Sequence, residues 1–212
     1  MRNFSPAGKQ IKLSFDEWNL WYKFYSDLYL SNFNLRDGLW VASALNMHHR
    51  HAPDLELANI AQMVNCVGII CSTEKGTFPT ASALVYRIYV ENAGNEVLPC
   101  GVNVPALPGA ARLPALDVSA TRQGGRLAIF MVNRHLDADI ESTFELGGLQ
   151  TAPSAKRIEL HHPDAFKYNT VQEPQALQIR ERNEMIQVES SRFSLKLPAH
   201  SLTCVVLDVK EG

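Results

Sequence analysis

Up to about residue 95 the chain alternates between strand and helix patterns, and beyond that point the helix pattern does not return. Ile11, Leu13 and Phe15 alternate with Lys12 and Ser14, the period of a strand. Asn34 stands where a helix N-cap belongs, with Asp37 three residues on to satisfy the first turn. Leu35, Leu39, Ala42 and Leu45 follow at helical spacing. His48, His49, Arg50 and His51 place basic groups where a helix C-terminus favours them, and Pro53 forbids continuation. The apolar segment Leu55–Ile70 suits a buried strand through Ile60, Val64, Val67, Ile69 and Ile70, while Leu57–Val64 also fits a helix. A second helix is expected over about Ser82–Asn92, ending at Gly94. This order is the repeat of an α/β fold with parallel strands. Parallel strands need cover on both faces, which two strands and two helices cannot provide, and a (β/α) barrel needs eight of each. The first half therefore reads as the end of something larger: a fragment, or one partner of a complex.

From Val97 the pattern changes. Pro99, Pro105, Pro108 and Pro114 exclude a helix and suggest an extended crossing between domains. Strands are expected at Leu116–Thr121, Arg126–Asn133, Ile140–Leu146, Ala155–His161, Met185–Val188, Phe193–Leu197 and Leu202–Val209. Gln123-Gly124-Gly125 reads as a hairpin turn, and Gly147-Gly148 and Pro153 break the chain further on. Short strands separated by Gly and Pro turns point to an antiparallel β-sandwich.

Composition narrows the function classes. The 212 residues carry 20 Lys+Arg against 22 Asp+Glu, a net charge of -2, without the positive excess a nucleic acid or anionic membrane partner needs. At 46% hydrophobic residues the chain can bury a core. The polar start Met1–Gln10 lacks a secretory pattern, and no apolar run approaches the roughly 20 residues of a membrane span. Cys66, Cys71, Cys100 and Cys204 form no C-x-x-C pair and read as reduced thiols of a cytoplasmic protein. His48 and His51, at i and i+3, invite a metal reading, but no carboxylate or thiol at ligand spacing accompanies them, and the helix end explains their charge.

The sharpest local feature is Phe15-Asp16-Glu17-Trp18-Asn19-Leu20-Trp21-Tyr22, two carboxylates closing a strand and running into an aromatic loop that continues through Phe24, Tyr25 and Tyr29. On strict alternation Glu17 shares the face of Ile11, Leu13 and Phe15. C-terminal strand ends are where parallel α/β folds build their sites. Aromatic faces stack on the C–H surfaces of a sugar, and a carboxylate beside them can handle the glycosidic carbon. The plainer alternative has Asp16 or Glu17 capping the next turn or pairing with a lysine.

The stretch I-K-L-S-F-D-E-W-N-L-W-Y, Ile11–Tyr22, closely resembles the strand-seven signature of the alpha-L-arabinofuranosidases of glycoside hydrolase family 51. Asn34–Ala42 resembles that family's following helix, Ala58–Asn65 its eighth strand, Leu116–Thr121 and Leu127–Arg134 its sandwich strands, and Leu197–Thr203 its closing motif. The resemblance implies the last two β/α units of a TIM-type barrel over residues 1–95, followed by a jelly-roll-like β-sandwich over 96–212. It implies that Glu17 is the nucleophile of a retaining mechanism that releases terminal alpha-L-arabinofuranosyl residues from arabinan, arabinoxylan or their oligosaccharides. Trp21 matches an aromatic residue bordering the arabinose pocket; Trp18 follows the nucleophile and equally suits packing between strand and helix. No metal or organic cofactor is implied.

Two departures stand out. The family's acid/base Glu lies at the end of barrel strand four, upstream of anything in this sequence; Glu56, Glu74 and Glu91 match other positions. Many members also supply a Gln after the last strand, but between Gln62 and Gln123 this chain has none. Alone, the chain is therefore expected to be inactive and to need the missing N-terminal barrel half as partner. The other readings are a carbohydrate-binding module and a structural module for homo-oligomer contacts. Exposed apolar faces at Ile11–Phe15 and Leu55–Ile70 predict dye binding or self-association that maps to the first 95 residues; a dye-silent monomer would contradict this.

Overall fold

Asn34 begins the first helix as its sequence predicts. In the computed structural model, which describes residues 9, 11–22, 33–189 and 191–210, the Asn34 side chain accepts from Asp37 N at 3.2 Å. The Asp37 carboxylate accepts in return from Asn34 N at 3.1 Å, closing a capping box. Phe24, Tyr25, Tyr29 and most of the polar start lie outside the described residues. Strand β1 (Leu13–Trp18) leads to helix α1 (Leu35–Arg50) and then to β2 (Leu55–Ile60), which pairs with β1 in parallel. Leu35, Leu39 and Ala42 are buried and Leu45 packs beside them, the face that the spacing foretold.

Leu57–Val64 is not helical, and the strand ends at Ile60 rather than running to Ile70. Asn65, Cys66 and Val67 take left-handed φ values of 51°, 41° and 63°, which no strand tolerates. Gly68 completes the turn because a Cβ there would meet Asn65 O at 2.6 Å. A hairpin of β3 (Ile70–Thr73) and β4 (Gly76–Pro79) follows, then α2 (Ala81–Asn92). Gly94 does not end α2 in a left-handed cap. The C-cap Ala93 is extended, and Gly94 is needed because a Cβ would lie 2.3 Å from the Arg122 backbone.

The proline-rich stretch is paired rather than free. It holds β5 (Glu96–Leu98) and a small hairpin of β6 (Ala106–Leu107) with β7 (Ala110–Pro114). Then come β8 (Leu116–Gln123), β9 (Arg126–Asn133), β10 (Ile140–Glu145), β11 (Thr151–Leu160), β12 (Ile179–Met185), β13 (Arg192–Leu197) and β14 (Ser201–Val209). The strand expected at Met185–Val188 lies upstream as β12, which ends at Met185; Ile186 N still donates to Pro153 O at 2.8 Å, and Ile186 is buried. Six strands form one antiparallel sheet in the order β12-β11-β14-β9-β8-β5, and β10 and β13 form a separate pair.

The fold is mostly strand, with both described helices on one face of the large sheet. Ala128, Phe130 and Val132 of β9 and Leu202, Cys204 and Val206 of β14 pack against α1 and α2; Leu127, Ile129, Met131, Val205 and Leu207 face the β10–β13 pair. Buried on both faces, these strands read as continuous apolar runs. The helical layer and the sheet thus share one core across residue 95. Among the described residues no helix is long and apolar enough to cross a membrane.

A polar network is buried in that core. Ser119 and Tyr89 donate to Asn46 Oδ1 at 2.6 and 2.7 Å, and Asn46 Nδ2 donates to Asp117 at 3.1 Å. With the Ser119 proton given to Asn46, its oxygen accepts from His49 Nδ1 at 2.9 Å. Burial first, then His48 and Arg50, hold the His49 imidazole down to about 4. The unfolded chain takes up this proton near 6.5, so the neutral-His49 contribution is complete above that pH and is lost as pH falls towards about 4. The loss amounts to about 3 kcal/mol. Urea midpoints should accordingly be flat above neutrality and fall on the acid side, with His49→Phe removing the largest part of that slope; an unchanged slope would refute the assignment.

Candidate active site

The two carboxylates at the end of β1 part company. Asp16 accepts a hydrogen bond from the Ser14 hydroxyl. Glu17 is exposed, forms no hydrogen bond or ion pair among the described residues, and lines a cleft of about 770 Å³. Phe15 lines it too, as alternation along β1 predicts. Trp21, 67% exposed, forms part of one wall, and Trp40 and Met47 of α1 form another. The remaining polar lining includes Asn19, Gln62, His48, Arg50 and Arg134. Glu17 is the one carboxyl group lining the cleft among the described residues.

Trp18 is 5% exposed and belongs to the helix–sheet core while also touching the cleft. Its ring stacks on Tyr86 at 6.1 Å and meets the edge of His48 at 4.7 Å, the packing arrangement that the sequence left open. His48, expected among solvated basic groups at the helix end, is instead buried between Phe15 and Trp18. Burial, then His51, lowers its tendency to take a second proton. Among the described residues no three His, Cys, Asp or Glu side chains come together as a metal site.

Asn19 connects the strand end to the irregular loop after β2. Its amide donates to Ala61 O at 2.9 Å and Val67 O at 2.5 Å, while its own oxygen accepts from Leu20 N at 2.8 Å. These bonds close the left-handed loop and set Gln62, Cys66 and Val67 beside Glu17 on the cleft. Tyr22 fastens the other side: its hydroxyl donates to Asp37, and desolvation, then this bond, raises it to about 12. Arg36 donates to the same hydroxyl at 3.1 Å.

Opposite, Arg50 and Arg134 reach the cleft from α1 and from the end of β9. Both bind the buried carboxylate of Asp117, at 2.9 and 3.1 Å. Sequence reasoning picked out Glu17, Trp18 and Trp21 but neither Asn19 nor Trp40, Gln62 or Arg134. Asn19 directly follows the acidic signature, the one signal that could have found it.

The sequence matches the family described as alpha-L-arabinofuranosidase C-terminal domain over residues 16–201. It is 26% identical over 208 residues to an intracellular exo-alpha-L-arabinofuranosidase of Bacteroides ovatus, covering 94% of this chain and 40% of that protein. An intracellular exo-alpha-(1->5)-L-arabinofuranosidase of Streptomyces lividans is 28% identical, with 79% of this chain and 28% of that protein covered. The fold superposes on a GH51 arabinofuranosidase of Xanthomonas axonopodis pv. citri with a TM-score of 0.84 at 25% identity, covering 93% of this chain and 41% of that one. For the Thermotoga maritima alpha-L-arabinofuranosidase in its arabinose complex the TM-score is 0.83 at 22% identity, with 93% and 43% covered. The chain thus spans about two-fifths of the Bacteroides protein and of these solved structures, and less of the Streptomyces protein.

Asn19→Asp replaces two donors by a carboxylate facing two carbonyl oxygens. It should cost about 1–3 kcal/mol and speed amide exchange over residues 61–68; exchange there equal to the parent's would show that Asn19 does not hold the loop.

Proposed function

The chain belongs to the alpha-L-arabinofuranosidase C-terminal domain family, and from that premise we propose that it carries the nucleophile of a retaining alpha-L-arabinofuranosidase. The substrates are arabinan, arabinoxylan or their oligosaccharides, cleaved at terminal non-reducing alpha-L-arabinofuranosyl residues. The observation that carries the reading is Glu17: a free carboxylate at a strand end, in a cleft walled by Trp21 and Trp40, inside the matched region.

A Glu17 oxygen attacks the anomeric carbon as the bond to the leaving oxygen breaks and a second carboxyl group protonates that oxygen. Water, deprotonated by the same second group, then releases the sugar from Glu17. The two carboxyl groups of such a pair stand about 5–5.5 Å apart. No second carboxyl lines the cleft among the described residues, so the acid/base comes from a separate N-terminal barrel half. On this reading residues 1–95 are the last two β/α units of the barrel, residues 96–212 are the sandwich, and the chain alone is inactive. Trp21 stacks on the sugar, with Trp18 supporting it from the core.

Exposed Ile11, Leu13, Phe15, Leu57 and Met63 on and beside the β1–β2 pair support a barrel partner on that side. The names of the relatives support action inside the cell. The same apolar strip favours the second reading, a structural module that associates with copies of itself.

The test is hydrolysis of an aryl alpha-L-arabinofuranoside by the chain alone and after co-refolding with the unmatched N-terminal part of the Bacteroides ovatus enzyme. Turnover should require both parts and vanish in Glu17→Ala. Turnover that survives Glu17→Ala would overturn the role of Glu17, and a silent mixture with a defined homo-oligomer would favour the structural reading.

A further inference from the structure

Trp21 is the part of the cleft wall with the least support of its own. It is 67% exposed, and no other ring packs against its indole among the described residues. A flat face can orient a sugar only if it is itself held in place. The backbone on either side must therefore hold it.

Both sides are tied. Two residues before Trp21, the Asn19 amide is bound to Ala61 O and Val67 O of the loop after β2. One residue after it, the Tyr22 hydroxyl donates to Asp37 Oδ1 and accepts from Arg36 Nη2 at 3.1 Å. Three peptide links separate the two anchors, at most about 11 Å of chain. A segment that short, fixed at both ends, leaves the Trp21 backbone little room to move.

Asp37 makes the second tie firm. It is 2% exposed, in the first turn of α1. Its Oδ2 accepts from Asn34 N at 3.1 Å, and its Oδ1 faces Tyr22 and Arg36. A buried carboxylate is tolerated only with its donors in place, and hydrogen bonds to it are the stronger kind. The Arg36 guanidinium lies 5.1 Å from the Phe166 ring centroid. The β11–β12 connection holds α1 in turn, with the Lys167 and Ala165 carbonyls accepting from Leu35 N and Arg36 N at 2.9 Å. The anchor behind Tyr22 thus belongs to the packed core.

The capping box does not need Tyr22, because the reciprocal bonds of Asn34 and Asp37 close it without the hydroxyl. What Tyr22 adds is a tie from that cap to the loop that follows Glu17. Burial, then the bond to Asp37, pushes the hydroxyl up to about 12, so at neutral pH it keeps the proton it donates.

We propose that Tyr22 and Asp37 are positioning residues that fix Trp21 in the cleft beside Glu17. The proposal rests on the assignment of Glu17 as nucleophile and of Trp21 as the face that stacks on the arabinofuranosyl ring. Such a face acts on the bound sugar and on the transition state alike, so loosening it weakens binding rather than the chemical step.

The first arm of the test is 15N relaxation of the whole chain without substrate. The Trp21 amide should be as ordered as that of buried Trp18, with an order parameter near about 0.85, despite its exposed side chain. In Tyr22→Phe, which deletes one hydroxyl and keeps the ring, the Trp21 value should fall below about 0.6 while Trp18 keeps its own. A mobile Trp21 amide in the parent, or equal order in both proteins, would overturn the proposal whatever the activity; the parent value decides even if Tyr22→Phe does not fold.

The second arm is turnover of an aryl alpha-L-arabinofuranoside by the reconstituted enzyme. Tyr22→Phe should raise KM about tenfold and leave kcat within about twofold, the scale of one hydrogen bond to a charged group. Trp21→Ala should raise KM at least as far, and adding Tyr22→Phe to it should change nothing further. A fall in kcat at unchanged KM, or a Tyr22→Phe effect that persists in full beside Trp21→Ala, would overturn positioning through Trp21. A silent mixture would count against the assignment of Glu17, and the relaxation arm would still decide the role of Tyr22.

Discussion

Asp117 is the constraint on which the arrangement turns. It is a carboxylate only 7% exposed, on the helix-facing side of β8. Such a group is tolerated only when paired and hydrogen-bonded, and removing one partner of a buried pair typically costs about 3–5 kcal/mol. Here Arg50 comes from the last turn of α1, Asn46 from one turn earlier, and Arg134 from the end of β9. The three partners fix where α1 ends relative to the sheet. The same two arginines form part of the cleft wall facing Glu17.

The layers differ in how fully they are covered. β9 and β14 are sealed on both faces, by the helices on one side and the β10–β13 pair on the other. The β1–β2 pair has no such cover: Ile11, Leu13, Phe15 and Leu57 stay exposed, and neither strand pairs with a further strand among the described residues. A two-stranded parallel sheet with an open apolar face is not a stable end point. That asymmetry fits a chain spanning about two-fifths of several longer relatives, with Glu17 on the uncovered side.

Much of this was legible in the residues, because the signals were local. The Asn34–Asp37 capping box, the stop before Pro53, the Gly124-Gly125 hairpin and the alternation of Phe15 and Glu17 each rest on a few neighbouring residues. What was missed rests on distant partners. The left-handed turn at Asn65–Val67 depends on Asn19, more than 40 residues away. Gly94 looked like a helix terminator, but its lack of a side chain answers to the Arg122 backbone. His48 looked like part of a basic helix end, and tertiary packing turned it inward against Trp18. No periodicity announces such contacts.

The central claim is that Glu17 is the nucleophile of a site whose acid/base lies on another segment. An activated aryl leaving group departs without acid assistance, so the first step can be isolated from the second. The deciding measurement is peptide mass spectrometry of the reconstituted chain, quenched during turnover of a dinitrophenyl alpha-L-arabinofuranoside. The account predicts one pentosyl group on the peptide containing Glu17 and none in Glu17→Ala; a pentosyl group on another residue, or turnover with Glu17 never modified, would contradict it.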